Sequence, residues 1–432
     1  MNRTTVRRVE SMAVVSPSMS VTASIHPPRV TTGAGPVNSR RARARWLGAV
    51  LICLALTGAG CSSQTTGGNA GNGPHNPFTP ANTVYSKAGP YAAGTARVTL
   101  PDGGLAQIWY PVDPSAVEGK SKYTYRVRSW FPAELASNPA LASLPDSVPT
   151  DSYENVPAAT DTAATGDPNK AFPVLLFSHG NGSYPEQSSF LADHLATWGF
   201  VIAAPDHRSR DLGAVLSNTV TTVGGPDLVD MDNTLSFLHV ENKNPSSVLY
   251  GRLDFSKVGV FGHSAGGGTA VTMAASNSAI RTYVALAPGA GVPPTTAKPG
   301  LVMYGTSDTV VDPSNVQQLY SGLPVPKRLI VITGAGHNVF DDICGIHNGS
   351  QRLVDLLKSS AGSSGPLGQV ASLADDGCFP PDVSPSSVWP LIDQAVTAQL
   401  RYGLGIDNAP RGLDPGLDHA YPGVSADYYQ KP

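Results

Sequence analysis

Six runs of apolar residues recur through the central part of the chain, and each has the length of a buried strand. They lie at residues 172–178, 200–205, 257–262, 282–287, 300–305 and 328–333. None of them alternates strictly between apolar and polar side chains, which is typical of parallel strands that are buried on both faces. The pattern therefore predicts a sheet whose two faces are both covered.

Helical patterns separate these runs. Leu191, Leu195 and Trp198 have the spacing that places them on one face of a helix, and the Leu and Met positions of residues 228–238 form a second such stripe. Strands that alternate with helices predict the α/β class, with a mostly parallel central sheet flanked by helices on both faces. In such a sheet functional groups collect at the carboxyl ends of the strands.

The chain before the first of these runs is less regular. Residues 96–113 predict a hairpin about the turn Asp102–Gly104. Residues 114–170 are rich in Ala, Pro, Ser and Asp and are longer than a structureless loop should be in a compact domain, so we expect short helices that lie over one edge of the fold. The prediction is a single domain at residues 91–432 that carries this irregular insertion.

A candidate nucleophile follows the third apolar run. Gly262, His263, Ser264, Ala265 and Gly266 fit the pattern G-x-S-x-G, in which a strained turn between a strand and a helix exposes the serine. Glycine makes up 45 of the 432 residues, so the motif alone is weak, and a glycine-rich helix start packed against a neighbour is the alternative. The apolar run before the motif and the helical pattern at residues 269–275 favour Ser264 as a nucleophile.

A serine hydroxyl needs a histidine base that a carboxylate orients. Asp308 follows the run at residues 300–305 and His337 follows the run at residues 328–333, so both are expected at the carboxyl edge of the sheet. Asp312 competes with Asp308 for the role of the acid. However, Asp312 is followed by a proline and a helical pattern, which is typical of a helix N-cap.

The tetrahedral intermediate of such a reaction needs backbone donors. The N–H group of Ala265 and that of Asn181, in the glycine-bearing loop after the first run, are the candidates. Gly182 and His179 are alternatives to Asn181, and a simple turn before a helix is the non-catalytic interpretation. His179 and His263 are weaker candidates for the base because neither follows the candidate acid along the chain.

The order Ser264, Asp308, His337 is that of an α/β-hydrolase and not that of chymotrypsin or subtilisin. The motifs LLFSHGNG, LADHLATWGFVIAAPDHR, VGVFGHSAGGGTA, YGTSDTVV and GAGHNVF resemble the α/β-hydrolase group that joins platelet-activating-factor acetylhydrolase-like esterases to bacterial cutinase-like polyester hydrolases. The first two motifs are most similar to the acetylhydrolase side. Asn181 and Ala265 stand where cutinase-like enzymes have an aromatic residue and a methionine, which disfavours polyester hydrolysis.

Composition narrows the choice of partners. Residues 1–60 hold eight Arg and one acid, whereas the rest of the chain holds 21 bases against 31 acids. This acidic balance disfavours a nucleic-acid partner, which needs basic surface to displace phosphate counterions. The sequence has no phosphate-binding glycine motif at a strand end, and its DHRSRD stretch lacks a familiar metal-ligand spacing. We expect no cofactor and no metal, and a monomer that acts on a small-molecule, lipid or polymer ester.

The first sixty residues resemble an export signal, with a basic run at residues 40–45 and an apolar run at residues 46–60 that is short for a membrane span. Cys61 follows small residues, as in the bacterial lipobox, although Gly58 replaces the usual leucine. A lipid anchor on Cys61 is the first prediction, and plain secretion and an uncleaved anchor are the alternatives. Met12 and Met19 are alternative starts. Residues 61–90 have the composition of a flexible tether.

Four cysteines are present. Cys53 leaves with the predicted signal and Cys61 is the lipidation candidate, which leaves Cys344 and Cys378 in an oxidising compartment. We therefore expect a disulfide between these two, shortly after the candidate base.

The sequence-based hypothesis is an exported serine hydrolase of carboxylic esters. Ser264 is the nucleophile, His337 the base and Asp308 the residue that orients it, with the N–H groups of Asn181 and Ala265 at the oxyanion. A polyester or cutin hydrolase and a lipase are the nearest alternatives. A serine peptidase and a non-catalytic binding lipoprotein of the cell envelope are more distant ones.

Overall fold

The computed structural model describes residues 83–131, 133–137, 139, 144–160, 171–221, 225–358 and 365–432. The predicted signal, Cys53, Cys61 and most of the predicted tether lie outside the described residues. Tyr85, near the end of the predicted tether, is buried, and its backbone N–H donates to Gln394 Oε1 at 2.9 Å. The packed part of the chain therefore includes residues just before position 91.

The strands are spread along the whole described chain. They are β1 (Ala92–Thr99), β2 (Leu105–Val112), β3 (Thr124–Arg126), β4 (Ser147–Pro149), β5 (Ser152–Glu154), β6 (Phe172–Ser178), β7 (Val201–Pro205), β8 (Leu253–His263), β9 (Ile280–Leu286), β10 (Gly300–Gly305), β11 (Lys327–Ile332), β12 (His347–Asn348), β13 (Gln351–Arg352) and β14 (Ala426–Lys431).

The α-helices connect and cover these strands. They are α1 (Ala133–Ala136), α2 (Ser189–Thr197), α3 (Leu212–Leu216), α4 (Gly225–Glu241), α5 (Ala265–Ser276), α6 (Pro313–Gly322), α7 (Leu353–Lys358), α8 (Pro366–Ala374) and α9 (Pro385–Gly403). Short 3₁₀ helices occur at Val84–Ser86, Pro114–Val117, Val127–Trp130, His337–Phe340, Ile343–Gly345 and Pro415–His419. Among the described residues, no helix has both the length and the apolar character that crossing a membrane requires.

The main sheet has the order β14-β11-β10-β9-β8-β6-β7-β2-β1-β5. Strands β6 to β11 are parallel to one another, β1 and β2 form the predicted antiparallel hairpin, and β14 pairs antiparallel with β11 at one edge. The predicted fold class is confirmed: this is an α/β-hydrolase fold with a mostly parallel central sheet.

The apolar runs are continuous because alternate side chains of a strand pack into two separate hydrophobic cores, one on each face of the sheet. On β6, Leu175 and Phe177 face one core with α2 and α9, whereas Val174 and Leu176 face the other with α4, α5 and α6. Side chains of a strand alternate between the two faces of its sheet. Both faces are buried here, so both sets of positions must be apolar.

The predicted insertion, residues 114–170, contains the expected short helices and also strands that the sequence does not predict. β5 pairs with β1 at the edge of the main sheet. β3 and β4 form a second sheet, of order β13-β12-β4-β3, with two strands that lie beyond residue 340. Strands of two or three residues are too short to produce a period in the sequence.

We call the second sheet and its neighbours the cap, which comprises residues 123–131, 144–149, 343–358 and 365–378. An apolar cluster joins the cap to the main domain. Its cap members are Tyr125, Val127, Trp130, Val148, Ile346, Leu353, Leu357, Val370, Ala371 and Ala374, and its main-domain members are Tyr184, Leu212 and Val215. The cap thus lies beside the loops that follow β6 and β7.

A disulfide joins Cys344 to Cys378 within the cap, across 34 residues, with a Cα–Cα distance of 5.3 Å. Both α7 and α8 lie inside the loop that it closes. A cross-link over a loop of this length restricts the unfolded chain and stabilises the fold by about 4 kcal/mol.

We expect the double variant Cys344→Ser/Cys378→Ser to lose about 4 kcal/mol of unfolding free energy, because its unfolded chain regains the freedom of the open loop. Urea denaturation followed by tryptophan fluorescence measures the loss. Wild-type protein whose disulfide has been reduced is the matched control and should unfold with the variant. Equal stability of the variant and the oxidised wild type would contradict the prediction.

Candidate active site

Ser264 lies at a sharp turn between β8 and α5. Its backbone has φ 58° and ψ −123°, a conformation that costs a non-glycine residue roughly 1–3 kcal/mol. Hydrogen bonds on both sides hold this turn: the Ser264 N–H donates to Leu286 O at 2.9 Å, and the Ser264 carbonyl accepts from Gly289 N at 2.8 Å. The side chain remains partly exposed.

The two glycines of the motif are required by close backbone contacts. A Cβ atom on Gly266 would lie 1.9 Å from the carbonyl oxygen of Ser178, and one on Gly262 would lie 2.2 Å from the carbonyl oxygen of Gly266. The turn is therefore pressed against the end of β6. This contact sets the serine beside the loop that begins at His179.

Asp308 and His337 meet at the carboxyl ends of β10 and β11. His337 Nδ1 donates to Asp308 Oδ2 at 2.8 Å, which leaves Nε2 as the free acceptor on the ring. The other oxygen of Asp308 accepts from the backbone N–H groups of Val310 and Val311 at 2.9 and 2.8 Å. Asp308 is 4% exposed and His337 3%, so the pair is shielded from water and its geometry is fixed.

Asp376, which sequence reasoning did not find, holds the loops of this pair. Its Oδ1 accepts from the backbone N–H of His337, and its Oδ2 accepts from that of Thr309 at 2.7 Å. The only signal for it in the sequence is its position two residues before Cys378. The competing carboxylate, Asp312, instead caps α6 by accepting from Ser314 N–H at 2.8 Å.

Asn181 lines the same cavity as Ser264 and His337, and Ala265 directly follows Ser264 in the chain. Within the described part of the chain, neither N–H donates to a protein acceptor. Ala265 is the first residue of α5, so the positive end of that helix adds to its N–H. Two unpaired donors next to a serine are suited to hold a developing oxyanion.

Gln187 is a second residue that sequence reasoning did not find. It joins residues 179–182, which we call the oxyanion loop, to the turn at residues 262–266, which we call the elbow. Its Oε1 accepts from Gly180 N–H at 2.7 Å, and its Nε2 lies 2.7 Å from His263 Nδ1 and 3.1 Å from Asp341 Oδ2. Gln187 lies in the segment before α2, where the sequence shows only a polar stretch. One side chain thus fixes the distance between the loop and the serine turn.

His263 completes this connection. Its Nε2 donates to the carbonyl oxygen of His337 at 3.1 Å, so its Nδ1 is the acceptor for Gln187. Burial, and then the neighbouring His337, lower the pKa of His263 well below its usual range. His263 is therefore a neutral spacer between the elbow and the base. Burial raises the pKa of Asp341, which touches the same glutamine, to about 7.

A buried ion pair between Arg210 and Asp227 also holds the oxyanion loop. Arg210 Nε donates to Asp227 Oδ2 at 2.7 Å and Arg210 Nη1 donates to the carbonyl oxygen of His179 at 2.6 Å. The His179 ring also lies inside the loop, where its Nε2 accepts from His207 N–H at 3.0 Å and its Nδ1 donates to the carbonyl oxygen of Gly180 at 2.9 Å. His179 therefore positions the loop.

His207, Asp227 and Asp230 bring one ligand-type atom each within 4.8 Å of one another. Their donor atoms are already committed to protein partners. His207 Nδ1 lies 2.9 Å from Asp230 Oδ2, and its Nε2 lies 2.9 Å from Ser178 Oγ. Burial raises the pKa of Asp227, but the charge of Arg210, the neighbouring His207 and the hydrogen bond from Arg210 together outweigh burial and hold this pKa below its usual range. The cluster fits a hydrogen-bonded ion-pair network better than a metal site.

The comparisons with known proteins fall on the part of the chain that carries these residues. A family model described as PETase, PET hydrolase-like, matches residues 180–348, which include Asn181, Ser264, Asp308 and His337. The match begins just after β6 and ends before α7. It therefore leaves out the cap residues that precede β6 and most of those that follow residue 343. Asn181 and Ala265 depart from the cutinase-like motifs without preventing the match.

Three curated relatives are, by name, one terephthalate hydrolase and two cutinases. A bis(hydroxyethyl) terephthalate hydrolase of Streptomyces coelicolor is 27% identical over 163 residues, which are 37% of this chain and 48% of that protein. Cutinase 1 of Thermobifida cellulosilytica and the cutinase of Thermobifida fusca are each 25% identical over 175 residues, 39% of this chain and 62% and 54% of those proteins. The chain thus spans about half to three fifths of the relatives that it matches.

A solved structure extends the likeness to the whole fold. The ferulic acid esterase from Streptomyces cinnamoneus superposes with a TM-score of 0.53 at 21% identity, covering 78% of this chain and 96% of that one. The resemblance inferred from the motifs is confirmed: the chain has the α/β-hydrolase fold and is similar, through its central part, to cutinase-like and PET hydrolase-like esterases.

Proposed function

We propose that this protein is a serine hydrolase of carboxylic esters that works through an acyl-enzyme. The observation that carries the proposal is the 2.8 Å hydrogen bond from His337 Nδ1 to Asp308 Oδ2 at the cavity that Ser264 lines. The free Nε2 atom of His337, the strained serine turn and two unpaired N–H groups supply a base, a nucleophile and an oxyanion site.

In the first half-reaction the Ser264 hydroxyl attacks the ester carbonyl carbon, and His337 Nε2 takes the hydroxyl proton. Asp308 stabilises the imidazolium that forms. The N–H groups of Asn181 and Ala265 bind the oxyanion of the tetrahedral intermediate. The intermediate then breaks its bond to the alcohol oxygen, which leaves with the proton from His337.

In the second half-reaction a water molecule attacks the acyl-enzyme and gives one proton to His337. The second tetrahedral intermediate uses the same two N–H groups. When it breaks down, Ser264 leaves and regains its proton from His337, and the carboxylic acid is released. The cycle needs no cofactor, since every proton that His337 accepts is returned.

A polyester or cutin hydrolase is the second candidate, and the similarity to cutinases and to a terephthalate ester hydrolase favours it. A lipase uses the same chemistry on a longer acyl chain. A serine peptidase would need the same triad with an amide substrate. A non-catalytic binding lipoprotein would have no use for the buried and fully hydrogen-bonded carboxylate of Asp308.

The proposal includes export and anchoring through a lipid on Cys61. The basic run at residues 40–45, the apolar run at residues 46–60 and the cysteine that follows support it. A membrane-anchored enzyme would then act at the outer face of the membrane, at the end of the tether. Plain secretion is the alternative.

Ser264→Ala is expected to lower the kcat for p-nitrophenyl esters by at least ~10⁴-fold, because no other group forms the acyl-enzyme. The measurement is ester hydrolysis beside a peptide anilide, a polyester film and a triglyceride emulsion. Ser276→Ala, an exposed serine at the end of α5, is the matched control and should keep full activity. Ester hydrolysis that survives in Ser264→Ala would contradict the mechanism, and a wild type that cleaves only the anilide would favour the peptidase.

Gln187→Ala is expected to lower kcat by about 10- to 100-fold with little change in KM, because the oxyanion loop loses its link to the elbow. Steady-state kinetics on one ester, with thermal unfolding in parallel, tests this. Gln107→Ala removes another buried glutamine, on β2, and is the matched control for stability. Equal kcat losses in the two variants would show that Gln187 acts only through folding.

Cys61→Ser is expected to abolish lipid labelling, since the thiol is the acylation site. An alkyne fatty acid fed to a bacterium that expresses the full chain, followed by click detection and fractionation, measures it. Cys53→Ser should keep both the label and the membrane location. An unlabelled wild type in the medium would instead indicate plain secretion.

A further inference from the structure

A cavity of about 220 Å³ extends from Ser264 beneath the cap. Its polar lining lies at the candidate active site itself, with Gly180, Asn181, Gln187 and His337. Away from the site the lining is aliphatic and comes largely from the cap: Val127, Leu212, Ile343, Ile346, Leu353, Val370, Leu373 and Ala374. One end of the cavity is therefore reactive and the other end is apolar.

A second apolar cavity of about 50 Å³ lies next to the first. Val127, Leu212, Leu353 and Val370 line both cavities and so form the wall between them. The second cavity also meets Arg128 and Asp146, whose side chains lie 3.8 Å apart. An apolar group that extended from the first cavity into the second would find only about 50 Å³ of space there, next to the ion pair of Arg128 and Asp146.

The strand order decides which half of an ester points into the apolar end. His337 follows β11 on one side of Ser264, whereas Asn181 follows β6 and Leu212 lies beyond β7 on the other side. The leaving alcohol must stay within reach of His337, which protonates it. An acyl group that extends away from His337 would pass Asn181 and run toward Leu212, which lines the wall shared by the two cavities.

The volume limits the length of that acyl group. A methylene group is about the size of a water molecule, which takes up roughly 30 Å³. The cavity of about 220 Å³ therefore has room for about seven groups of this size, counting the acyl carbonyl group beside Ser264. The described lining includes a single aromatic side chain, Tyr184, whose hydroxyl lies 3.3 Å from that of Tyr125. Aliphatic walls suit a flexible hydrocarbon chain, whereas an aromatic acid would find few ring partners.

We propose that this cavity is an acyl-binding site for a linear aliphatic acyl group of six to eight carbons, closed at its far end by Val127, Leu212, Leu353 and Val370. The substrate class is then a medium-chain fatty acyl ester of a small alcohol. This inference rests on the proposed ester hydrolysis and adds to it the substrate and the residues that select it.

The test measures kcat/KM for p-nitrophenyl esters of two to twelve carbons, with ethyl ferulate and bis(hydroxyethyl) terephthalate as aromatic substrates. For the wild type we expect kcat/KM to rise by about fourfold per methylene up to six to eight carbons and then to fall. Val370→Phe fills the end of the cavity and should lower the octanoate-to-butyrate ratio by at least about 10-fold. Val370→Ala opens the wall and should raise the dodecanoate-to-butyrate ratio by a similar factor.

Val148 provides the matched control because it belongs to the same cap cluster but lines neither cavity. Val148→Ala and Val148→Phe should change the melting temperature as the Val370 variants do, and should keep the wild-type chain-length profile. A profile shift in the Val148 variants equal to that in the Val370 variants would overturn the proposal. So would a flat wild-type profile, or a preference for the aromatic esters.

The two proposals fail in distinguishable ways. A wild type that cleaves no ester, or ester cleavage that survives Ser264→Ala, overturns the proposed function. Ester cleavage that needs Ser264 but responds to Val370→Phe equally at every chain length leaves the function standing and overturns the acyl site.

Discussion

The candidate site depends on one close contact, between the serine turn and the end of β6. The backbone at Gly266 lies so near the carbonyl oxygens of Ser178 and His179 that no side chain fits there. This contact brings the strained serine against the loop that carries Asn181. Ser264 follows β8 and Asn181 follows β6, and these strands are neighbours in the sheet, so their pairing sets the relative position of the two residues.

Buried polar groups then hold the loop in that place. Gln187 connects it to the elbow, and Arg210 donates to the carbonyl oxygen of His179. A buried charge is stable only when it is paired and hydrogen-bonded, and Asp227 supplies the pairing for Arg210. Oxyanion donors act well because they need little reorganisation during the reaction, and this network provides that rigidity.

The cap supplies most of the apolar lining of the cavity beside Ser264. It is assembled from two segments about two hundred residues apart in the chain, which pair as one small sheet and share an apolar cluster with the loops after β6 and β7. The same segment that contributes α8 also carries Asp376, which holds the loops of His337 and Asp308. The cap therefore supports the base and forms the apolar end of the cavity.

The sequence by itself determined the sheet, the hairpin and the order of Ser264, Asp308 and His337, because runs buried on both faces and glycines at a tight turn leave local signals. It also proposed Asn181 and Ala265 as the backbone donors, a role that stays a prediction. Only the tertiary structure revealed Gln187, Asp376 and the cap. Their partners are distant in sequence, and a glutamine, an aspartate or a two-residue strand has no pattern of its own. What these residues do is decided by the groups that folding brings to them.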